Sequence, residues 1–259
     1  MAKLKDRVAL VTGAGRGIGR AIALAFFGEG ARVAAVARSR AELDSLVQEI
    51  DSSGGEALAI AADLFDRREC ARVVAEVREQ WGPVDILVNN AGLGSSAHPA
   101  PAVDLPVDFW DKTLELNLTV PFLLAQAVVP AMIERRWGRV ITVASIAGRV
   151  GTLHGAAYSA SKHGVMGLMR TLALETAGTG VTVNCICPGP VKTVMNDLRI
   201  AYDAQRLGMA VEEFESKLTP IGGRLVPEDI APMAVYLAGE EGRMITGQAF
   251  NICGGLLMS

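Results

Sequence analysis

Short apolar runs alternate with longer amphipathic segments along almost the whole chain. Runs such as residues 8–11 and 32–37 have the length of buried strands, whereas the segments between them repeat apolar positions with the period of a helix. Strands that are apolar on both faces and are joined by helices are typical of parallel sheets with right-handed crossovers. The pattern therefore predicts an α/β fold built on a doubly wound parallel sheet of about seven strands.

The predicted elements follow one another in regular order. Strands are expected at residues 8–11, 32–37, 57–61, 86–88, 139–143, 181–186 and 248–252. Helices are expected at residues 17–27, 40–50, 67–80, 107–135, 157–177 and 227–238. Because no repeat, low-complexity segment or flexible linker divides the chain, residues 1–259 are interpreted as a single domain.

One segment departs from this alternation. Residues 193–225 follow the sixth predicted strand and contain two short helix-like pieces rich in Met, Leu and charged residues. An insertion of this length at the carboxyl edge of a sheet is a typical place for a loop that covers a binding site. We interpret it as a small helical substrate lid.

The composition narrows the class of protein. Hydrophobic residues make up 50% of the chain and charged residues 20%, and the net charge of −3 shows no basic excess for nucleic acid. The first residues lack the apolar core of a signal peptide, and Pro121, Gln126 and Pro130 interrupt the most apolar long stretch. We therefore expect a cytoplasmic protein that binds neither nucleic acid nor membrane.

Cysteine and histidine positions suggest no further chemistry. The four cysteines and three histidines have no spacing typical of a metal site or a disulfide framework. Cys185 and Cys187 alternate along a predicted strand, where small buried thiols are common. We expect neither a bound metal ion nor disulfide bonds.

A glycine-rich loop connects the first predicted strand to the first predicted helix. In the string Thr12-Gly13-Ala14-Gly15-Arg16-Gly17-Ile18-Gly19, glycines let the backbone turn tightly and approach a pyrophosphate at the helix N-terminus. The string lacks the Gly-Lys-Ser/Thr ending of an ATP-binding loop.

At the end of the second strand, Ala37 occupies the place of a carboxylate that would bind the ribose of NAD. Arg38 and Arg16 offer cations for a 2′-phosphate, so the sequence favours NADP (NADPH).

A candidate acid/base pair follows the fifth predicted strand. Tyr158 and Lys162 are four residues apart, which places the phenol and the ammonium on one face of a helix. A nearby cation favours the phenolate, so the pKa of Tyr158 is expected to fall toward working pH. Alone, such a pair is more often an ordinary surface pair, and Ser145 with the glycine loop changes that interpretation.

The remaining motifs occur in one order along the chain. They are Thr12-Gly13-x-x-x-Gly17-Ile18-Gly19, Asn89-Asn90-Ala91-Gly92, Asn117, Ser145, Tyr158-x-x-x-Lys162 and Pro188-Gly189. In this order and spacing the chain resembles the classical short-chain dehydrogenase/reductase family over essentially its whole length. The resemblance implies a single-domain Rossmann-type fold and an NADP-dependent oxidoreductase that acts on CH–OH and C=O groups.

The resemblance also implies catalytic roles. Tyr158 is expected to be the general acid in reduction or the base in oxidation, with Lys162 lowering its pKa and Ser145 polarising the substrate oxygen. The backbone carbonyl of Asn117 is expected to hold a water molecule in the proton path. Pro121, four residues later, has no N–H to occupy that carbonyl.

The same resemblance implies a cofactor site. Asp63 and Leu64 are expected to contact the adenine, and the turn from Pro188 to Thr193 is expected to line the nicotinamide. The residues expected to bind NADPH are Thr12, Gly13, Gly15, Arg16, Gly17, Ile18, Gly19, Arg38, Ser39, Asp63, Leu64, Asn90, Ala91, Gly92, Tyr158, Lys162, Pro188, Gly189, Val191 and Thr193.

The predicted substrate pocket is mostly apolar. Its candidate residues are Leu93, Gly94, Ile146, Ala147, His154, Pro190, Met195, Leu198 and Tyr202. Such a pocket suits a hydrophobic ketone or a 3-oxoacyl thioester better than a sugar. The run from Tyr158 to Gly167, the Cys187-Pro188-Gly189 turn and the tail from Asn251 to Leu256 resemble those of aromatic polyketide ketoreductases and, more broadly, of 3-oxoacyl carrier-protein reductases. Two alternatives stay open, an NAD(P)-dependent secondary or cyclic alcohol dehydrogenase and a non-catalytic NADPH-sensing regulator.

Two macromolecular partners are considered. Arg135, Arg136 and Arg139 form a basic cluster for an acidic carrier protein, but a solvated helix end explains it equally well. In addition, Leu174 stands where carrier-protein reductases often have a further basic residue. Helices 107–135 and 157–177 are expected to pair with other copies of the chain in a homotetramer or a dimer.

Overall fold

The computed structural model describes residues 2–258 and arranges seven strands in one sheet. The strands are β1 Val8–Thr12, β2 Arg32–Ala37, β3 Ala57–Ala61, β4 Ile86–Asn89, β5 Gly138–Val143, β6 Val181–Pro188 and β7 Ala249–Ile252. All neighbours are parallel, in the order β3-β2-β1-β4-β5-β6-β7. The predicted doubly wound parallel sheet is confirmed.

Helices cover both faces of this sheet. They are α1 Gly17–Gly28, α2 Arg40–Ser52, α3 Arg67–Trp81, α4 Val107–Leu114, α5 Val120–Glu134, α6 Ala156–Glu175, α7 Val194–Leu207, α8 Val211–Ser216 and α9 Pro227–Ala238. One buried cluster joins the sheet to α1, α2 and α9 through side chains such as Phe26, Leu46 and Ile230. The other joins it to α3, α5 and α6 through Val73 and Leu124, among others. Burial on both faces explains why the strands are apolar throughout.

The predicted helix at residues 107–135 is interrupted. A π-helical turn, Glu115–Thr119, separates α4 from α5, and the Val120 N–H donates to the Glu115 carbonyl five residues back. Pro121 follows at the start of α5 and has no N–H to donate to the carbonyl of Asn117. Asn117, whose carbonyl is predicted from the sequence to be free, therefore lies in this widened turn.

The stretch Val107–Glu134 is long and apolar enough to cross a membrane, judged by length and composition alone. Half of its most apolar window is buried inside the fold. Val128 and Met132 pack there against the sheet and α3. The buried half of this stretch is thus part of the core.

The predicted lid, residues 193–225, contains α7 and α8. Thr193 caps α7 by accepting the Asn196 N–H, and Gly208, which follows the last residue of α7, has a φ of 66° that favours glycine. Arg224 ties the two helices together, since one Nη lies 2.5 Å from Asp197 and the other lies 3.1 Å from Glu215. The two short helical pieces expected from the sequence are present, and their role as a lid stays a prediction.

A buried carboxylate holds the amino edge of the sheet. Asp85, just before β4, is 7% exposed and accepts hydrogen bonds from the Val8 N–H at 3.0 Å and from Arg135 Nη1 at 2.6 Å. Arg7 lies 4.0 Å from the same group. One carboxylate thus connects β1, β4 and the C-terminal end of α5.

The arginine cluster considered for carrier-protein docking belongs to this edge. Arg135 is bound to Asp85, Arg136 donates to the Gly178 carbonyl at 3.2 Å, and Arg139 is 2% exposed. The guanidinium of Arg139 also lies 4.4 Å from the ring centre of Trp137. These arginines have partners within the fold, at the edge opposite the strands' carboxyl ends, so the cluster gives no support to carrier docking.

Replacing Asp85 with alanine is expected to lower the free energy of unfolding by about 2–4 kcal/mol, because it leaves Arg135 and the Val8 N–H without their buried acceptor. Urea unfolding followed by circular dichroism measures the change. Asp44→Asn, which removes the charge of an exposed pair with Arg40, serves as the control and should change the value by less than about 0.5 kcal/mol. A loss at Asp85 no larger than at Asp44 would contradict this role.

Candidate active site

One large cavity of about 840 Å³ opens at the carboxyl ends of the strands. The loops after β1, β2, β4, β5 and β6 line it, together with residues of the lid. Strand order changes direction here, because β2 and β3 lie on one side of β1 and β4 to β7 lie on the other. In doubly wound sheets such a switch point is the usual ligand site.

The glycine-rich loop wraps around the start of α1. Gly13 and Gly17 have φ values of 66° and 57°, which favour glycine. A Cβ on Gly19 would lie 2.3 Å from the Gly13 carbonyl oxygen, so a larger residue would not fit. The first turn of α1 has no side-chain cap and no acidic residue. Its free amides therefore form an anion site that fits a pyrophosphate.

Two polar side chains hold this loop against β4. Thr12 Oγ1 donates to the Val88 carbonyl at 3.2 Å and accepts the N–H groups of Asn90 at 3.0 Å and Ala91 at 3.1 Å. Asn90 Nδ2 donates to the carbonyls of Thr12 at 2.9 Å and Gly13 at 3.2 Å. Since Thr12 is 1% exposed, it supports the cavity from behind.

Charged side chains surround the end of β2. Arg38 is exposed, and among residues 2–258 its guanidinium has no hydrogen-bond or ion-pair partner. Arg16 Nη1 lies 3.5 Å from Glu42 Oε1. Ser39 caps α2 by accepting the Glu42 N–H at 3.3 Å. All four residues line the cavity, which places two cations and one carboxylate where a 2′-phosphate was predicted.

Three of the predicted catalytic side chains converge in the cavity. Ser145 follows β5, accepts the Ala147 N–H at 3.1 Å and hydrogen-bonds to the side chain of Tyr158. Lys162 Nζ lies 5.7 Å from the Tyr158 ring centre and donates to the Val143 carbonyl at 2.9 Å. Hydroxyl, phenol and ammonium thus face one space, as the sequence predicts.

Asn117 takes a different position. It is 1% exposed and does not line the cavity. Its Oδ1 accepts the Leu93 N–H at 2.7 Å, and its Nδ2 donates to the Leu93 carbonyl at 2.9 Å and to Ser161 Oγ at 3.0 Å. Ser161 in turn donates to the Tyr158 carbonyl at 2.7 Å. The Asn117 side chain therefore fastens α6 to the loop after β4.

Burial shifts both titrating groups of the pair. Removal from water raises the pKa of Tyr158, and the hydrogen bond from Ser145 only partly opposes this. Burial lowers the pKa of Lys162 from 10.5 to about 8. The expected fall of the Tyr158 pKa toward working pH is not found in this arrangement, because burial outweighs the hydrogen bond from Ser145. The phenol is thereby kept protonated at neutral pH.

Most of the predicted site residues surround the cavity. Of the predicted catalytic and cofactor residues, those lining it are Gly13, Gly15, Arg16, Gly17, Ile18, Arg38, Ser39, Asp63, Leu64, Asn90, Ala91, Gly92, Ser145, Tyr158, Lys162, Pro188, Gly189, Val191 and Thr193. Thr12, Gly19 and Asn117 stand behind this lining. Among the substrate-pocket candidates, Gly94, Ile146, Ala147, Pro190 and Met195 line the cavity, whereas Leu93, His154, Leu198 and Tyr202 do not. The chemical roles of these residues stay predictions.

The described residues form no metal site and no reactive thiol. Within residues 2–258 no group of three or more His, Cys, Asp or Glu side chains is placed to hold a metal ion, and the four cysteines are free and buried. Burial raises the pKa of Cys185 to about 12 and also raises that of Cys187. Both thiols therefore stay protonated and unreactive near neutral pH.

Known proteins resemble this arrangement along the full chain. The family model for short chain dehydrogenases matches residues 7–202. The chain belongs to the short-chain dehydrogenase family. A Streptomyces coelicolor protein provisionally named a ketoacyl reductase is 41% identical over 99% of both chains, and D-threitol dehydrogenase of Mycolicibacterium smegmatis is 40% identical over 98% of this chain and 94% of its own. A variant of actinorhodin polyketide ketoreductase, solved with NADPH, matches with a TM-score of 0.92 at 40% identity over 99% of both chains. This short-chain dehydrogenase is thus an oxidoreductase.

The cavity of the enzyme also contains two charged residues, Arg199 and Glu42, that were not predicted from the sequence. Arg199 on α7 donates to Ser95 Oγ at 3.0 Å and to the Leu153 carbonyl at 2.7 Å, and it pairs with Asp203 at 2.6 Å. These bonds fasten α7 to the loops after β4 and β5. A spacing of four between Arg199 and Asp203 is typical of a surface helix pair, so the sequence carried no signal of this role. The position of Glu42 gave one indication in the sequence. It lies in the first turn of the helix that follows Arg38, close to the predicted 2′-phosphate site.

The Lys162 pKa predicts a pH-dependent stability in the absence of cofactor. Between the folded value of about 8 and the usual 10.5, the unfolded chain binds more protons, so the free energy of unfolding gains from this residue as pH rises. Relative to Lys162→Met, the unaltered protein should gain about 2 kcal/mol between about pH 8 and about pH 9.5. Urea unfolding of both proteins across that range tests this. A difference independent of pH would contradict the lowered pKa.

Proposed function

We propose that this short-chain dehydrogenase is an NADPH-dependent carbonyl reductase that acts on a 3-oxoacyl thioester or a polyketide-like ketone. The convergence of Ser145, Tyr158 and Lys162 on the cavity that contains the open N-terminus of α1 carries this proposal. Relatives named as a ketoacyl reductase and a polyketide ketoreductase support the ketone.

Two polar parts of the cavity would hold the cofactor. The glycine loop Gly13 to Gly19 would bind the pyrophosphate at α1, and Arg38 with Arg16 would bind the 2′-phosphate. Asp63 and Leu64 would contact the adenine, and the turn from Pro188 to Thr193 would contact the nicotinamide. When bound, NADPH supplies the hydride that reduces the carbonyl carbon.

The protein supplies the proton. Tyr158 donates its phenolic proton to the carbonyl oxygen, since the raised pKa keeps that proton in place at neutral pH. Ser145 hydrogen-bonds the same oxygen as it gains negative charge. Lys162, with a pKa of about 8, can lose and regain a proton near neutral pH and restores the phenol. The Asn117 carbonyl, freed by Pro121, holds the water that links Lys162 to solvent.

The substrate end of the cavity is predominantly apolar. Its side chains beside the lid include Ile146, Pro190, Met195, Phe214, Leu218 and Leu256. The two cations near these side chains, Arg199 and Lys192, lie 2.6 Å from Asp203 and 3.9 Å from Glu215 respectively. A ketone on an apolar chain or ring fits this surface better than a charged sugar.

A second candidate is an NAD(P)-dependent secondary or cyclic alcohol dehydrogenase working toward the ketone. The similarity to D-threitol dehydrogenase favours it. The relatives named as a ketoacyl reductase and a polyketide ketoreductase favour the reductive direction instead. A pure NADPH sensor is the weakest candidate, since it needs no proton-relay residues.

We further propose a cytoplasmic homotetramer. Four free buried thiols fit a reducing compartment. Large apolar side chains are exposed on the helices predicted to pair, including Val107, Phe122 and Ile133 on α4 and α5 and Leu174 on α6. Contact between copies of the chain would bury them.

Tyr158→Phe is expected to lower the rate of ketone reduction at least about a thousandfold while NADPH binding changes less than about threefold, because only the proton donor is lost. NADPH oxidation should be measured against 3-oxoacyl thioesters, cyclic ketones and quinones, and NADPH binding by fluorescence. Tyr236→Phe, which removes a hydroxyl from an exposed position on α9, is the matched control. Full activity of Tyr158→Phe would sink the catalytic assignment, and a quinone-only profile would sink the substrate class.

Light scattering of the purified protein should give the mass of four chains, because contact between copies would bury the exposed apolar side chains of α4, α5 and α6. Replacing both Phe122 and Leu174 with serine should shift the population toward smaller species. A monomeric mass for the unaltered protein at micromolar concentration contradicts the tetramer.

A further inference from the structure

Glu42 occupies the part of the cavity where the 2′ position of the adenosine ribose is expected. Its carboxylate lies so close to the glycine loop that a Cβ on Gly15 would be 2.6 Å from Oε2. The same Cβ would lie 3.4 Å from the side chain of Ala37 at the end of β2. Glu42 therefore fills the corner between the phosphate loop and β2, and it lines the cavity.

The carboxylate also engages one of the two cations proposed for the 2′-phosphate. Arg16 Nη1 lies 3.5 Å from Glu42 Oε1, whereas Arg38 has no partner among residues 2–258. The Arg16 side chain is 66% exposed and that of Glu42 is 35% exposed, so the pair is solvated and weak. Glu42 thus leaves a net charge of +1 from three charged side chains at the end of β2.

The position of the Glu42 carboxylate predicts whether it weakens or strengthens the binding of each cofactor. A 2′-phosphate carries close to two negative charges, so a carboxylate in the same corner repels it and also competes for Arg16. The ribose of NADH has a 2′-hydroxyl, which a carboxylate can accept as a hydrogen bond. The orienting effect of Glu42 on Arg16 is the smaller contribution, because their contact is long and exposed.

We propose that Glu42 is a specificity-determining residue that opposes binding of the 2′-phosphate and so lets this enzyme accept NADH beside NADPH. The proposal rests on the cofactor assignment of the proposed function and on no particular ketone. Arg38 and Glu42 act in opposite senses on one phosphate group. The ratio of the two cofactor affinities is set by their balance.

The test is direct binding of NADPH, NADH and 2′,5′-ADP by titration calorimetry to the full chain and to Glu42→Gln. This variant keeps the shape of the side chain and removes its charge. NADPH and 2′,5′-ADP should bind about tenfold more tightly, while NADH binding stays the same or weakens by up to about threefold. Arg38→Ala should weaken 2′,5′-ADP binding, which identifies the 2′-phosphate as the group sensed.

Glu49→Gln is the matched control. Glu49 lies on the same helix, is similarly charged and pairs with Arg20 at 2.6 Å, but it does not line the cavity. It should leave the ratio of affinities unchanged. If Glu42→Gln changed the affinities for NADPH and NADH equally, or weakened NADPH binding, the proposed role of Glu42 would be overturned. The cofactor assignment would still hold, provided that the unaltered chain binds NADPH. Absence of NADPH binding by the unaltered chain would overturn the cofactor assignment and this inference together.

Discussion

Parallel pairing in fixed register brings the carboxyl ends of β1, β4, β5 and β6 to one edge of the sheet, and the cavity exists because of it. Val88 pairs with Val11 and Ile141, so the segments that follow these three residues emerge side by side. A slip of one residue would turn every side chain of a strand to the opposite face. Dense apolar packing on both faces prevents such a slip. The core thus fixes the distance between the phosphate loop and Ser145.

A second layer of buried polar residues converts this edge into a defined site. Thr12 and Asn90 clamp the glycine loop to β4, and Asn117 with Ser161 fixes α6 against the loop after β4. Each of these polar atoms would be costly to bury without its partner. Because every donor has a backbone or hydroxyl acceptor, the groups behind the cavity act as rigid supports.

The sequence was sufficient for the strands, because buried parallel strands produce long apolar runs, and for α9, whose predicted bounds of 227–238 are those observed. It placed Ser145, Tyr158 and Lys162 on one cavity because their spacing follows β5 and one face of α6. It did not reveal the π turn at Glu115–Thr119, because the spacing of apolar residues along the predicted helix barely changes there. It also did not reveal the contacts of Glu42 with Arg16 and of Arg199 with Ser95, because these partners lie 26 and 104 residues away. Nor could spacing supply the sign of the Tyr158 pKa shift, which depends on burial.

The direction of the Tyr158 pKa shift affects how Tyr158 and Lys162 can work together. Burial favours the neutral form of both groups, so it raises the pKa of the phenol and lowers that of the amine. A carboxylate beside Lys162 would restore the amine pKa, but it would also oppose the negative charge that gathers on a carbonyl oxygen during reduction. The partner found is instead the neutral Val143 carbonyl. It satisfies the buried ammonium without adding an anion, and it leaves the pKa near 8, where proton exchange at neutral pH costs little. Under the proposed mechanism, part of the stability lost by burying Lys162 is therefore the cost of a proton donor that can be reloaded.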